Sequence, residues 1–305
     1  MNELITDVKN LELETIKNLK NSKSSNTLRA YQSDYNDFSL FCSKNGFQAM
    51  PTQPKILALY LTHLSSFSKY STLKRRLASI SILHKTKGHY IDTKHPVIME
   101  NLMGIKRING SNQKGKKPIL INDLKALIKA IDHSKEKKIR KIRDKALILI
   151  GFSGGFRRSE LVNIEYEDLD FVPEGVKIFV KRSKTDQSGE GMTKAIPYFD
   201  SENFCPVISL KKWIEIIDFK EGRIFDISDK SVALIIKKYA NHAGLNSHKY
   251  AGHSLRSGFA TSTAESGAEE RSIMAMTGHK STEMVRRYIK EANLFKNNAL
   301  NKIKI

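Results

Sequence analysis

The feature that most constrains this chain is a break about a third of the way along. Residues 108–117 read Ile-Asn-Gly-Ser-Asn-Gln-Lys-Gly-Lys-Lys, with two glycines, three lysines and almost no apolar content. A continuous core cannot run through such a stretch, because it offers little to bury and leaves the backbone free to turn. The chain therefore reads as two folding units, residues 1–107 and 118–305, joined by a basic linker over 108–117. A length of 305 residues suffices for two ordinary domains.

Before the break, apolar residues recur at helical spacing. Residues 27–45 carry Leu28, Tyr31, Tyr35, Phe38 and Cys42 on one face, and Gly46 supplies a stop. A second, more apolar helix is predicted over 54–64. A third is expected from a Ser71 cap to Lys87, with Lys74, Arg75 and Arg76 in its first turns, and a fourth begins at Pro96. These four short helices predict a bundle. After Pro118 the pattern is mixed. Helices are expected from an Asn122 cap, over 140–150, 206–217, 230–243, 254–266 and 269–277, and from Ser281 onward. Between them Val176, Ile178 and Val180 alternate with polar residues, and residues 195–199 resume after a polar, Gly-containing stretch, which predicts a hairpin. The fold class is mainly α with one small β-sheet.

Charge narrows the function. Lys and Arg number 52 against 32 Asp and Glu, a formal charge of +20. Such an excess suits a polyanion, bound through neutralised phosphates and released counterions. Residues 67–117 hold twelve Lys or Arg against two acids, Asp92 and Glu100, which predicts a DNA-facing stripe. Lys74, Arg75, Arg76, Lys114, Lys116 and Lys117 are its candidate DNA contacts. No apolar run nears the roughly 20 residues of a membrane span, and residues 1–20 lack a signal peptide's apolar region. A cytoplasmic, nucleoid-associated protein is expected. Cys42 and Cys205 stand alone, which excludes a disulfide framework and predicts two buried thiols. His242, His248 and His253 find no carboxylate or Cys to complete a metal site, so none is expected.

Four local groups can carry chemistry, and each has an ordinary alternative. Arg157 follows Gly154-Gly155-Phe156 at a break between helices, where its guanidinium can project from a fixed backbone; the alternative is a helix start with Arg158 and Glu160 in solvent. Lys184 lies in Arg182-Ser183-Lys184-Thr185-Asp186 at the hairpin turn, where most lysines are merely solvated. His253 and Arg256 fall one turn apart if Ser254 starts a helix, and can then address one phosphate; the alternative is a chance pair in a basic chain with nine histidines. Tyr288 lies nine residues after His279 of Thr277-Gly278-His279, two turns into the last helix; the alternative is a half-buried packing tyrosine.

Taken in order, these groups resemble the tyrosine recombinase (phage integrase) family. There an Arg in a Gly-x-Arg-x-x-Glu-Leu setting is followed by a hairpin Lys, His-x-x-Arg, Gly-His and a nucleophilic Tyr nine residues later. This chain supplies Gly155-Phe156-Arg157-Arg158-Ser159-Glu160-Leu161, Lys184, His253 with Arg256, Gly278-His279 and Tyr288. The resemblance reaches the first unit, where Thr27, Tyr31, Asp34 and Phe38 sit as in the family's core-binding helix. It implies a four-helix core-binding domain joined by the linker to a tyrosine-recombinase catalytic domain.

What the resemblance implies is consistent with the residue types. Two guanidiniums, Arg157 and Arg256, would clamp the non-bridging oxygens of a phosphodiester and stabilise its pentacoordinate transition state. Arginine suits this by its permanent charge and planar fork. Tyr288 would attack as a phenolate to give a 3′-phosphotyrosine, with His253 as general acid/base, His279 as a donor to the phosphate and Lys184 protonating the departing oxygen. Glu160 would orient an arginine or cap its helix turn. No cofactor, metal or ATP is implied. The expected partners are double-stranded DNA, further copies of the chain in a tetramer on paired sites, and accessory DNA-bending proteins. The apolar tail, with Leu294, Phe295, Leu300 and Ile303, would dock on a neighbouring protomer, the alternative being its own domain. No helix is expected before Thr27, and hence no separate arm-site domain. A mobile-element integrase and a Xer-like resolving enzyme both fit. A type IB topoisomerase and a non-catalytic DNA-binding protein are the competing readings.

Overall fold

In the computed structural model of the chain, placement is described for residues 8–111, 115–181, 183, 189–218, 220–292 and 299–303. Lys114, Lys184, Leu294 and Phe295, singled out above, lie outside the described residues. The chain divides into two units, Met1–Lys114 and Gly115–Ile305.

The first unit is helical: α1 (Val8–Asn21), α2 (Ser25–Lys44), α3 (Pro54–Ser65), α4 (Tyr70–Thr86) and α5 (Pro96–Asn109). Ser24 caps α2 by accepting from the Thr27 N–H, and Pro54 and Pro96 open α3 and α5 where a missing N–H costs nothing. The apolar stripes of α2 to α5 meet in one core around Phe38, Leu57, Tyr60, Leu61, Leu73, Ile80, Ile98 and Leu102. Two expectations need correction. Helix α1 precedes Thr27; its Leu, Lys and Glu residues favour helix, and Leu11, Leu13 and Ile16 stay exposed. Ser71 is not a cap, since α4 starts one residue earlier and Lys69 precedes it with no side-chain bond.

The stripe on α4 is also less free than its sequence neighbourhood suggests. Asp34 of α2 is buried, accepts from Ser79 Oγ at 2.7 Å and is ion-paired with Arg75. Arg76 pairs with Asp37, which accepts from Tyr60 Oη at 2.6 Å. Helix pairing brings in acids that lie outside the basic segment, while Lys74 remains exposed.

The second unit is mostly helical with a three-stranded sheet. It contains α6 (Ile121–Asp132), α7 (Lys138–Ser153), α8 (Arg158–Val162), β1 (Leu169–Val172), β2 (Gly175–Val180), β3 (Met192–Pro197), α9 (Pro206–Ile217), α10 (Asp229–His242), α11 (Ser254–Glu265), α12 (Glu270–Thr277) and α13 (Thr282–Ala292). The sheet is antiparallel in the order β1-β2-β3, with Phe171 opposite Val176 and Val176 opposite Ile196. The expected hairpin is β2–β3. Strand β1 adds to it; four residues of mixed burial carry too little alternation to read from sequence. Asn122 lies inside α6, and Leu120 holds its cap position.

Helix α11 is buried along almost its whole length and forms the axis of this unit. Gly258 makes that possible: a Cβ there would stand 2.0 Å from the Ile119 carbonyl oxygen. The segment entering the unit is fastened beside it, with Lys117 N–H donating to Lys249 O at 2.7 Å and Ile119 N–H to Ser254 O at 2.9 Å.

Candidate active site

Four loop and helix ends of the second unit converge. Helix α7 ends at Ser153, and Gly155 turns the chain with φ +54°, a conformation that disfavours a side chain. A Cβ there would also meet Phe259 at 2.9 Å. Arg157 then takes the cap position of α8. Glu160, buried rather than solvent-facing, accepts from its backbone N–H at 2.9 Å and from its Nη1 at 2.5 Å. A single carboxylate thus fixes both ends of this arginine.

Arg256, in the first turn of α11, is 1% exposed. Its Nη1 donates to Gly155 O at 2.9 Å and its Nη2 to His279 Nε2 at 3.2 Å. Burial, with Arg157 adding to it, pushes its pKa down to about 10, which leaves it charged at neutral pH.

His279 follows Gly278, which ends α12 at φ +63°. Because a guanidinium only donates, Nε2 must accept, so the ring proton sits on Nδ1 and goes to Thr277 Oγ1 at 2.7 Å. Thr277 in turn donates to Ile273 O at 2.6 Å. Burial, then the charges of Arg256 and Arg157, push the His279 pKa down to about 4. In this arrangement His279 holds the arginine. To donate to a phosphate through Nε2, it must release Arg256 and also carry a proton on that nitrogen, by tautomer exchange or by protonation.

Tyr288 sits two turns into α13. Its ring packs in a small core of Ala260, Ala264, Ile273 and Val285, and is 8% exposed. Its Oη stands 3.4 Å from Nε2 of His253, the cap residue of α11 in the same chain. His253 as a residue is exposed. Partial burial of its titrating group, then the charges of Arg256, Arg157 and Arg158, lower its pKa and favour the neutral, proton-accepting imidazole.

One residue of this neighbourhood went unread in the sequence. Lys194, on β3, is fully buried, donates to Gly154 O at 2.6 Å and Met276 O at 2.5 Å, and lies 4.5 Å from the Phe156 ring centre. Burial, then Arg256 and Arg157 against an opposing Glu160, push its pKa down to about 7. The available signal was the inward phase of Met192, Lys194 and Ile196, hidden because the strand was expected to resume only at Ala195. Of the other basic candidates, Lys116 Nζ donates to His248 O at 2.7 Å, and Lys117 Nζ stands 3.0 Å from Asp123 and 3.1 Å from Tyr250 Oη. Both make contacts within their own unit.

The structure thus brings Arg157, His253, Arg256, His279 and Tyr288 together. Two guanidiniums beside a phenol and a proton-accepting imidazole form an arrangement that can support phosphoryl transfer to a tyrosine. The sequence matches the model of the phage integrase family over residues 119–294. The chain belongs to that family, the tyrosine recombinases. It is 43% identical to an integrase/recombinase XerD homologue of Selenomonas ruminantium, over 99% of this chain and 92% of the relative. It is 26% identical to a tyrosine recombinase XerC of Staphylococcus aureus, over 92% and 91%. Among solved structures, a XerH site-specific recombinase bound to a palindromic difH substrate, in a post-cleavage complex, shares the fold. Its TM-score is 0.65 at 18% identity, covering 86% of this chain and 77% of that one. A lambda integrase dimer bound to a COC′ core site gives 0.59 at 21%, covering 96% and 98%.

Proposed function

We propose that this chain is a site-specific DNA recombinase that cuts and rejoins double-stranded DNA through a covalent bond to Tyr288. The observation that carries the reading is the Tyr288 phenol at 3.4 Å from His253 Nε2, within its own subunit and beside Arg256. The phenolic proton passes to His253 as the Tyr288 Oη–phosphorus bond forms. Arg157 and Arg256 hold the non-bridging oxygens while the bond to the 5′ oxygen breaks. Lys184, from the connection between β2 and β3, gives that oxygen its proton. The product is a 3′-phosphotyrosine and a free 5′-hydroxyl. Because one phosphoester replaces another, rejoining runs the same steps backwards without ATP, and the two guanidiniums supply the charge for which other enzymes use a metal.

The first unit acts as the core-binding domain, with Lys74 as its freest basic candidate on α4. The tail docks on a neighbouring protomer within a tetramer on paired sites; exposed Leu300 and Ile303 support that placement. Accessory DNA-bending proteins and a nucleoid location belong to the same reading. The relatives' names favour recombination over relaxation of arbitrary supercoiled DNA.

The test is a nicked suicide duplex drawn from sequence flanking the gene, incubated without metal or nucleotide. Wild-type chain gives a denaturant-resistant adduct, whereas Tyr288→Phe binds equally and gives none. Equal behaviour of the two would overturn the reading.

A further inference from the structure

The catalytic account leaves Lys194 without a role, and its position calls for one. An ammonium in an apolar interior is costly unless it is closely partnered. Here both partners are helix ends. Gly154 caps α7 and Met276 lies in the last turn of α12, where carbonyls lack intrahelical donors and carry the negative end of the helix dipole. The Phe156 ring closes a further side of the ammonium at 4.5 Å. An apolar residue in this inward β3 position would fill the space but leave both carbonyls without a donor.

The two carbonyls are not arbitrary. Arg157 lies three residues beyond Gly154, and His279 three residues beyond Met276. Arg256 reaches into the same joint by donating to Gly155 O. One side chain from the sheet therefore fastens both loops that carry phosphate-facing groups. It does so from the strand that follows the connection bearing Lys184.

We propose that Lys194 is a positioning residue for strand cleavage, its ammonium fixing the separation of the Arg157 loop from the His279 loop around the scissile phosphate. The role rests on the recombinase reading above and adds to it a part outside the six residues of the family pattern. Arg157, Arg256, Glu160 and His279 are the charged and titratable groups whose fields it shares. An entering phosphate brings negative charge to that cluster and favours the ammonium over the neutral amine.

The test uses the full chain and the nicked duplex described above, with Lys194→Met and Lys194→Ala. Folding is followed by circular dichroism and Trp213 fluorescence, DNA binding by mobility shift, and cleavage by single-turnover adduct formation. Both variants should bind DNA within about threefold of wild type but form the adduct about 100-fold more slowly, the order expected when catalytic groups shift by a fraction of their spacing. Propylammonium should restore part of the rate to Lys194→Ala, and propanol of nearly the same size should not. Cleavage by Lys194→Met within threefold of wild type would overturn the proposal alone, as would equal effects of amine and alcohol. Loss of folding in both variants would make Lys194 a structural residue and also overturn it. A wild-type chain that formed no adduct would instead remove the recombinase reading, and this role with it.

Discussion

Acidification should destabilise the catalytic unit through His279, by an amount that can be worked from its surroundings. The folded protein holds this imidazole at about 4 against an ordinary value of 6.5, through burial and the charges of Arg256 and Arg157. The unfolded chain keeps the ordinary value. Between pH 6.5 and 4 the unfolded state therefore binds more protons, and stability falls as pH falls. A shift of about 2.5 units, at about 1.4 kcal/mol each, amounts to about 3.5 kcal/mol in full, of which about 3 kcal/mol is lost by pH 4, where the folded imidazole is half protonated. His279→Gln keeps an acceptor facing Arg256 but does not titrate, so it should lack this loss. Trp213, the only tryptophan, is buried in the same unit against Phe225 and reports its urea unfolding. From pH 7 to pH 4 the wild type should lose about 3 kcal/mol more than the variant. Two parallel curves would refute the electrostatic account of this site. A bound duplex should shrink the difference, because a phosphate beside His279 favours the imidazolium.

Other perturbations separate packing from chemistry. Gly155→Ala puts a Cβ 2.9 Å from Phe259 at φ +54°, so thermal melts should show a loss of at least about 1–2 kcal/mol and adduct formation should slow through the displaced Arg157. Glu160→Ala removes the buried partner of an arginine that keeps 19% of its side chain exposed, so it should cost less than the roughly 3–5 kcal/mol of a fully buried pair in urea unfolding, and Glu160→Gln, which keeps an acceptor, should cost less still. Lys74→Ala should lower the salt slope of DNA binding by about one without changing stability. Arg75→Ala should instead destabilise the first unit by leaving Asp34 buried with a weakened partnership, and a pure salt-slope effect there would contradict the ion pairing described for α4.

How much of this was legible in the sequence depended on whether the signal was local. Helix positions in both units follow apolar spacing, and α9 matches its expected 206–217 span because Pro206 fixes its start. The ordered set Arg157, His253, Arg256, His279 and Tyr288 was readable because the first four lie in short motifs at chain breaks and Tyr288 follows His279 at a fixed spacing of nine. What escaped depended on distant partners. Asp34 and Asp37 neutralise part of the α4 stripe only once α2 packs against α4. Lys194 looks like any strand lysine until the ends of α7 and α12 close over it. Ser71 and Asn122 failed as caps because helix starts are set by packing as much as by a hydroxyl or amide one residue away. The His279 tautomer, and hence its role toward Arg256, follows from a three-member hydrogen-bond chain that no linear motif encodes.

The claim on which the account stands is that one subunit supplies both the phenol and the arginines to a single phosphate. Mixing Tyr288→Phe with Arg256→Ala on the nicked duplex tests it directly, since each variant lacks a different part. The contact between Tyr288 and His253 within one chain predicts no covalent adduct from the mixture above that of either variant alone. Recovery of adduct in the mixture would mean that the tyrosine acts on a neighbour's phosphate, and would contradict the site as described.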